Sequence, residues 1–232
     1  MGVGTSSEIA ETDWSLLSLL LSPDSTAPTL ALGHDLRSLS SALARTCASV
    51  IALDPDCETL KRLGLGPLQS TAAQVFPISS CNTGYLPFRS CSVGLTIVNQ
   101  AENGAGCRQE RNPVEIEVGL LREAWRVLRP GGIFCLVVCR RQSRTSPSEM
   151  KVLLNSCGFT ATEFYLPNPK SPRFTALIPI ASGNRIHACI NFLVEGNAFR
   201  ERWRRVWLKA LATLGLLQSS TLEYIAIGRK ER

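Results

Sequence analysis

Histidine, the side chain that most often acts as a general acid or base near neutral pH, is scarce in this chain. The chain contains only two histidines, His34 and His187, so a mechanism that needs a pair of imidazoles would have to use both. His34 follows a predicted strand and is the candidate for a general base, because imidazole exchanges protons near neutral pH. No Gly-x-Ser-x-Gly turn follows any strand, which excludes a serine hydrolase of that type.

The nine cysteines form no metal or redox motif. None belongs to a C-x-x-C pair, and only Cys135 and Cys139 lie close together. Zinc and redox sites use tighter spacing, and a secreted disulfide scaffold is normally shorter and has an even number of cysteines. We therefore expect reduced, mostly buried thiols and no metal site.

The positive charge is concentrated at the C-terminus. The net charge is +6, and residues 200–232 hold eight basic and three acidic residues. Basic runs can attract phosphates or anionic membranes. The sequence has no RNP, KH or zinc-finger pattern, so we do not expect a nucleic-acid partner.

The composition is that of a globular protein, with 44% hydrophobic and 19% charged residues. No apolar stretch approaches the ~20 residues of a membrane-spanning helix. Acidic residues (Glu8, Glu11, Asp13) stand where a signal peptide would be basic. We expect a cytoplasmic protein, with attachment to a membrane surface as the alternative.

Short apolar strands alternate with helices along most of the chain. Strands are predicted at Thr29–Leu32, Ser49–Leu53, Gln74–Ile78, Leu95–Val98, Ile133–Val138, Thr160–Leu166 and Tyr224–Gly228. Helical spacing is present near residues 36–43, 57–63, 114–129 and 148–157. Such alternation is typical of a parallel sheet with helices on both faces, in which ligands bind at the carboxyl ends of the strands. We expect residues 1–27 to form a helix or cap before one domain, residues 28–232.

Residues 167–217 interrupt this alternation and are predicted to form a lid insertion. Three prolines within six residues predict a stiff loop at the start. A basic helix follows, in which Phe199, Trp203, Trp207 and Leu211 share an apolar face. Its Trp/Leu face and its arginines are typical of interfacial helices. We expect this face to pack on its own domain, or to contact a protein partner or an anionic membrane surface.

The order of these segments resembles the class I S-adenosylmethionine-dependent methyltransferases of the small-molecule type. Residues 29–44 look like the family's first strand, loop and helix, and residues 50–54 look like its second strand with a terminal acid. Leu86-Pro87-Phe88 and the R-V-L-R-P-G-G run within residues 121–134 are similar to its later segments. The resemblance implies an α/β fold: a Rossmann-like, mostly parallel sheet with a final antiparallel strand and a helical lid.

The cofactor loop departs from the family pattern. The family has an acid at the end of the first strand and then a G-x-G-x-G turn. Here Ala31 stands in place of the acid, and Asp35 and Arg37 stand in place of the second and third glycines, so that only Gly33 remains. These changes remove a hydrogen-bond acceptor, backbone freedom and open space next to the cofactor.

The resemblance still implies candidate contacts to S-adenosylmethionine. They are Gly33, Asp35 or His34 as a substitute polar contact, Asp54 for the ribose hydroxyls, Tyr85 near the adenine, and Asn99 at the end of a strand. No catalytic triad is required, because methyl transfer depends mostly on alignment of the reacting atoms.

Two functions remain open at this point. The domain has either lost S-adenosylmethionine and serves as a structural or regulatory subunit, or it is a diverged methyltransferase that uses S-adenosylmethionine. In the second case the basic lid favours a small acceptor that is anionic or lipid-linked. Fold alone does not decide between them.

Overall fold

The computed structural model describes residues 14, 17, 20, 21, 26–33, 36–54, 74–79, 85–100, 113–138, 145–167, 177–180, 203, 206, 207, 209, 210, 213 and 224–231. The strands are β1 (Thr29–Gly33), β2 (Ser49–Asp54), β3 (Gln74–Ser79), β4 (Val93–Asn99), β5 (Leu128–Val138), β6 (Phe159–Pro167), β7 (Leu177–Pro179) and β8 (Tyr224–Lys230). The helices with defined ends are α1 (Leu36–Leu43), α2 (Pro113–Val127) and α3 (Pro147–Ser156).

The eight strands form one sheet in the order β3-β2-β1-β4-β5-β8-β6-β7. The pairs from β3 through β5 are all parallel. Strand β8 is antiparallel to both β5 and β6, so β6 runs in the same direction as β5. The expected mostly parallel sheet with a final antiparallel strand is therefore confirmed.

Helices cover both faces of the sheet, as expected. The first apolar cluster contains Leu30 and Leu32 of β1 together with side chains from α2 and α3. The second cluster contains Ala31 together with α1 and with Trp14, Leu17 and Leu21. Neighbouring residues of β1 belong to different clusters because successive side chains in a strand point to opposite faces.

The ends of α3 follow from local side-chain chemistry. The Ser146 hydroxyl accepts from the Glu149 backbone N–H, and the Glu149 carboxylate accepts from the Ser146 backbone N–H at 2.7 Å. This capping box satisfies two backbone donors that would otherwise lack partners. At the other end, Gly158 takes a φ of +95°, the left-handed conformation that ends many helices.

The boundary between α2 and β5 differs from the expectation. The helix ends at Val127, two residues earlier than predicted, because Leu128 pairs with Val93 at the start of β4. Gly131, with φ +77°, then allows the chain to continue into the regular pairing from Ile133.

Strand β7 was not predicted. It lies within the segment expected to be a lid and pairs antiparallel with β6 through Leu177, Ile178 and Pro179. Three residues are too short for an alternating pattern to be recognised. The predicted helix at 57–63 lies outside the described residues, as does most of the predicted lid.

Two further groups of described residues are helical. Leu17, Leu20 and Leu21 precede β1, and Trp203, Val206, Trp207, Lys209, Ala210 and Thr213 follow β7. No helix in the described part of the chain has the length and hydrophobicity needed to span a bilayer.

Candidate functional site

The carboxyl ends of β1, β2 and β4 form the candidate site. Gly33 at the end of β1 pairs with Asn99 at the end of β4. Leu32 pairs with Leu53, so Asp54 is the next residue along β2 at the same edge. Because β1 lies between β2 and β4, the sheet order changes direction here, and ligands of open α/β sheets bind at such a point.

Gly33 is held by the neighbouring strand. Its φ is +99°, and a Cβ added to it would lie 2.0 Å from the backbone oxygen of Asn99. Both the conformation and the space therefore require glycine. The family resemblance predicts close contact between this glycine and a cofactor, whereas the contact within the described residues is with β4.

Asn99 and Gln100 place two amides at this edge. Asn99 is 1% exposed, and the Gln100 backbone N–H donates to the Val137 oxygen at 3.0 Å. Amides donate and accept hydrogen bonds but do not act as general bases near neutral pH. An amide at this edge can form hydrogen bonds with a neighbouring group, but it cannot act as a general base.

Ala31 stands where the resemblance to the methyltransferases predicts an acid. It is fully buried and belongs to the second apolar cluster. Its methyl group offers no hydrogen-bond acceptor.

Other predicted site residues lie outside the described part of the chain. His34, Asp35, His187, Phe199 and Leu211 are in this group. The backbone of Asp54 ends β2, but the structure does not describe the side chain of this residue. The predicted roles of these residues stay predictions.

Tyr85 does not lie at the edge formed by the carboxyl ends of β1, β2 and β4. Its ring is 64% exposed and lies 5.6 Å from the guanidinium carbon of Arg126 in the last turn of α2. That turn precedes Leu128, which pairs with Val93 at the amino end of β4. Tyr85 therefore lies near the opposite end of β4 from Asn99.

Arg126 and Glu123 hold the turn before β4 against α2. The Arg126 guanidinium donates to the backbone oxygens of Leu86 and Phe88, each at 2.9 Å, and to both Glu123 carboxylate oxygens at 2.8 Å. The Glu123 carboxylate also accepts from the Leu86 backbone N–H at 2.9 Å. The hydrogen bonds from Arg126 are the main reason that the pKa of Glu123 lies below its ordinary value, despite the opposing effect of burial.

The Glu123–Arg126 pair is not among the residues predicted from the sequence. Its i, i+3 spacing on a helix was the available signal, but that spacing does not reveal that both side chains bind a turn almost 40 residues earlier in the chain.

The thiols are free in the described part of the chain. Cys47 and Cys135 are buried, Cys157 is half-buried and Cys91 is exposed. Burial raises the pKa of the Cys135 thiol, so it stays protonated. In the same residues, no three His, Cys, Asp or Glu side chains are grouped so that they could hold a metal ion.

Solved structures with the same architecture come from several sources. A candidate methyltransferase from Bacillus halodurans is 12% identical, with a TM-score of 0.56 over 95% of this chain and 99% of that one. An S-adenosylmethionine-dependent methyltransferase from Thermotoga maritima is 13% identical, with a TM-score of 0.52 over 92% and 86%. The chain has the class I methyltransferase fold. No family model and no curated protein sequence matches it.

The methyltransferase fold is compatible with more than one reaction. The [4+2]-cyclase SpnF also shares it, at 13% identity and a TM-score of 0.53 over 94% of this chain and 80% of that one. Activity must therefore be argued from the site residues.

The described residues meet the needs of S-adenosylmethionine only in part. Asn99 could contribute polar contacts, and Asp54 ends the adjacent strand. Ala31 does not fit, because it cannot accept a hydrogen bond from the cofactor's amino group.

Proposed function

We propose that this methyltransferase-fold protein has lost normal S-adenosylmethionine binding and acts as a structural or regulatory subunit. The observation that carries the proposal is the full burial of Ala31 in an apolar cluster, where the family has its acid. An acid at that position would have to be solvated or paired, because isolated carboxylates are costly in an apolar environment.

The close packing of Gly33 on β4 removes one argument against the proposal. A glycine that is kept for a cofactor would be free to change once the cofactor is lost. Gly33 has a second reason to be kept, because a side chain there would collide with the Asn99 oxygen. Its presence is therefore no argument for cofactor binding.

The alternative is a diverged S-adenosylmethionine-dependent methyltransferase with a small acceptor that is anionic or lipid-linked. The juxtaposition of Gly33, Asn99 and the end of β2 at the switch point favours it. In that case S-adenosylmethionine would supply the methyl group, while Asp54 would accept from the ribose hydroxyls and Asn99 would orient the ligand.

Calorimetric titration with S-adenosylmethionine and S-adenosylhomocysteine tests the proposal. We expect no heat of binding at millimolar ligand for a chain that circular dichroism shows to be folded. Micromolar binding would contradict the proposal.

Two variants show whether any binding is at the predicted edge. Asp54→Ala removes the candidate ribose contact, and Glu163→Ala removes an exposed carboxylate from β6, which is four strands away from β1. Binding that is lost in the first variant and kept in the second would place the cofactor at this edge, as the alternative requires. Transfer of the methyl group to an acceptor would then have to be measured separately.

A further inference from the structure

Three large apolar side chains point outward on one helical stretch. Trp203, Val206 and Trp207 are helical and are 61%, 58% and 64% exposed. Their i, i+3, i+4 spacing places them on one side of a helix. We call these three residues the tryptophan face.

Other exposed large apolar residues do not form such a group. Among the described residues they are Leu20, Phe76, Tyr85 and Val152, each on a different element or turn. Single exposed apolar residues are ordinary, whereas a group on one side of a helix indicates a binding surface. More than half of each side chain in the tryptophan face is exposed, so this face is a candidate binding surface.

The chain around the tryptophan face is strongly basic. Residues 200–209 contain five basic residues and one acidic residue. They are Arg200, Arg202, Arg204, Arg205 and Lys209, with Glu201 as the acid. A binding partner must therefore accept indole rings and carry negative charge close to them.

We propose that the tryptophan face binds the surface of an anionic lipid bilayer. Indole rings favour the boundary between the lipid headgroups and the acyl chains, where the apolar ring is buried and the N–H stays in a polar layer. Basic residues next to such rings are attracted to anionic headgroups. The proposal does not depend on whether S-adenosylmethionine binds.

A second copy of the chain is a poorer occupant. Two tryptophan faces packed against each other would bring two basic segments together, and each has a net charge of +4 over residues 200–209. Repulsion of like charges opposes that contact. An anionic bilayer offers the opposite charge and a continuous apolar layer.

Vesicle binding by the full chain tests the proposal. The probe is co-sedimentation with vesicles of phosphatidylcholine, with and without phosphatidylglycerol. We expect binding only to the vesicles that contain phosphatidylglycerol, and we expect high salt to weaken it because salt screens exposed charges.

Tryptophan fluorescence reports on the binding face itself. The chain has four tryptophans. Trp14 is buried and Trp125 is half-buried, so a shift of the emission to shorter wavelength on adding vesicles would come mainly from Trp203 and Trp207. We expect that shift only with anionic vesicles.

Matched substitutions separate the tryptophan face from general surface hydrophobicity. Val206→Ser and Val152→Ser make the same change at two exposed valines, which are 58% and 68% exposed on different helical stretches. We expect Val206→Ser to weaken vesicle binding by about tenfold and Trp207→Ser by more, whereas Val152→Ser should leave it unchanged. All three positions are exposed, so all three variants should fold.

Several results would overturn the proposal. Equal binding to neutral and anionic vesicles would show that charge does not contribute. An equal loss of binding in Val206→Ser and Val152→Ser would show that the tryptophan face does not contribute. Absence of vesicle binding would also overturn it, whether the chain is monomeric, forms an oligomer that Trp207→Ser dissociates, or binds an RNA oligonucleotide instead.

Discussion

At the scale of single residues, the presence of glycine at position 33 has two possible explanations. The family pattern assigns it to a cofactor loop, but the structure places it in the left-handed region against the backbone of β4. The fold therefore needs this glycine independently of any ligand.

Gly33→Ala should destabilise the protein by about 3 kcal/mol, because it adds a backbone clash to an unfavourable φ. Gly131→Ala is the matched control, since Gly131 has φ +77° with nothing within 4 Å of the added Cβ. Gly131→Ala should lower the free energy of unfolding by only about 1 kcal/mol. Urea unfolding measures both, and equal costs would show that the contact with Asn99 does not constrain Gly33.

Lys230 is a second residue whose role depends on the tertiary structure. It belongs to the basic C-terminus, yet it is only 7% exposed. Its ammonium donates to the backbone oxygens of Trp125 (2.8 Å) and Leu128 (2.7 Å) and lies 4.0 Å from the centre of the Trp125 ring. It thus satisfies backbone acceptors at the end of α2, where a positive charge is favourable.

Lys230→Met should destabilise the protein by about 2 kcal/mol, because two carbonyls lose a charged donor while the apolar stem is kept. The neighbouring Arg229 is exposed, so Arg229→Met should change the free energy of unfolding by less than about 0.5 kcal/mol. Thermal unfolding of both variants provides the comparison. A similarly small loss of stability in both variants would mean that the buried ammonium of Lys230 does not stabilise the fold.

At the scale of elements, the Glu123–Arg126 pair connects α2 to the turn before β4. The depressed pKa of Glu123 means that the folded chain holds this proton less tightly than the unfolded chain does. The stabilisation is therefore complete above the ordinary glutamate pKa of about 4.3 and is lost as the pH falls through the lower pKa of the folded state.

Glu123→Gln should be less stable than the natural chain at neutral pH, because the charged acceptor of Arg126 and of the Leu86 N–H is replaced. The difference should shrink as the pH falls below about 4, where the natural carboxylate also becomes neutral. Urea unfolding over a pH series measures it. In an Arg126→Gln background most of this pH dependence should vanish, and its persistence there would contradict the assigned cause.

At the scale of the whole molecule, the sheet divides the core into two apolar clusters. The cluster that contains α1 also contains Trp14, Leu17 and Leu21 from the chain before β1. These residues therefore contribute to the same core as the strands, while the domain boundary at residue 27 stays a prediction.

Trp14→Ala should cost about 4 kcal/mol, because it removes a large side chain that is only 2% exposed. Trp203→Ala makes the same change at an exposed position and should cost less than about 1 kcal/mol. Chemical denaturation compares the two. If Trp14→Ala were as mild as Trp203→Ala, the chain before β1 would not belong to the core.

The sequence by itself determined the fold class and the positions along the chain of every strand except β7. What the residues at positions 31–37 mean for cofactor binding stays a prediction. Apolar periodicity, caps and glycine stops are local, so they can be read from neighbouring residues. The same local reading found the apolar stripe that contains Trp203 and Trp207.

Only the tertiary structure decided what those residues contact. It placed Tyr85 beside Arg126 instead of near Asn99, buried Lys230 under α2, added β7, and set Gly33 against the Asn99 oxygen. Each of these contacts joins residues that are distant in the chain. They depend on strand order and register, which a local pattern does not specify.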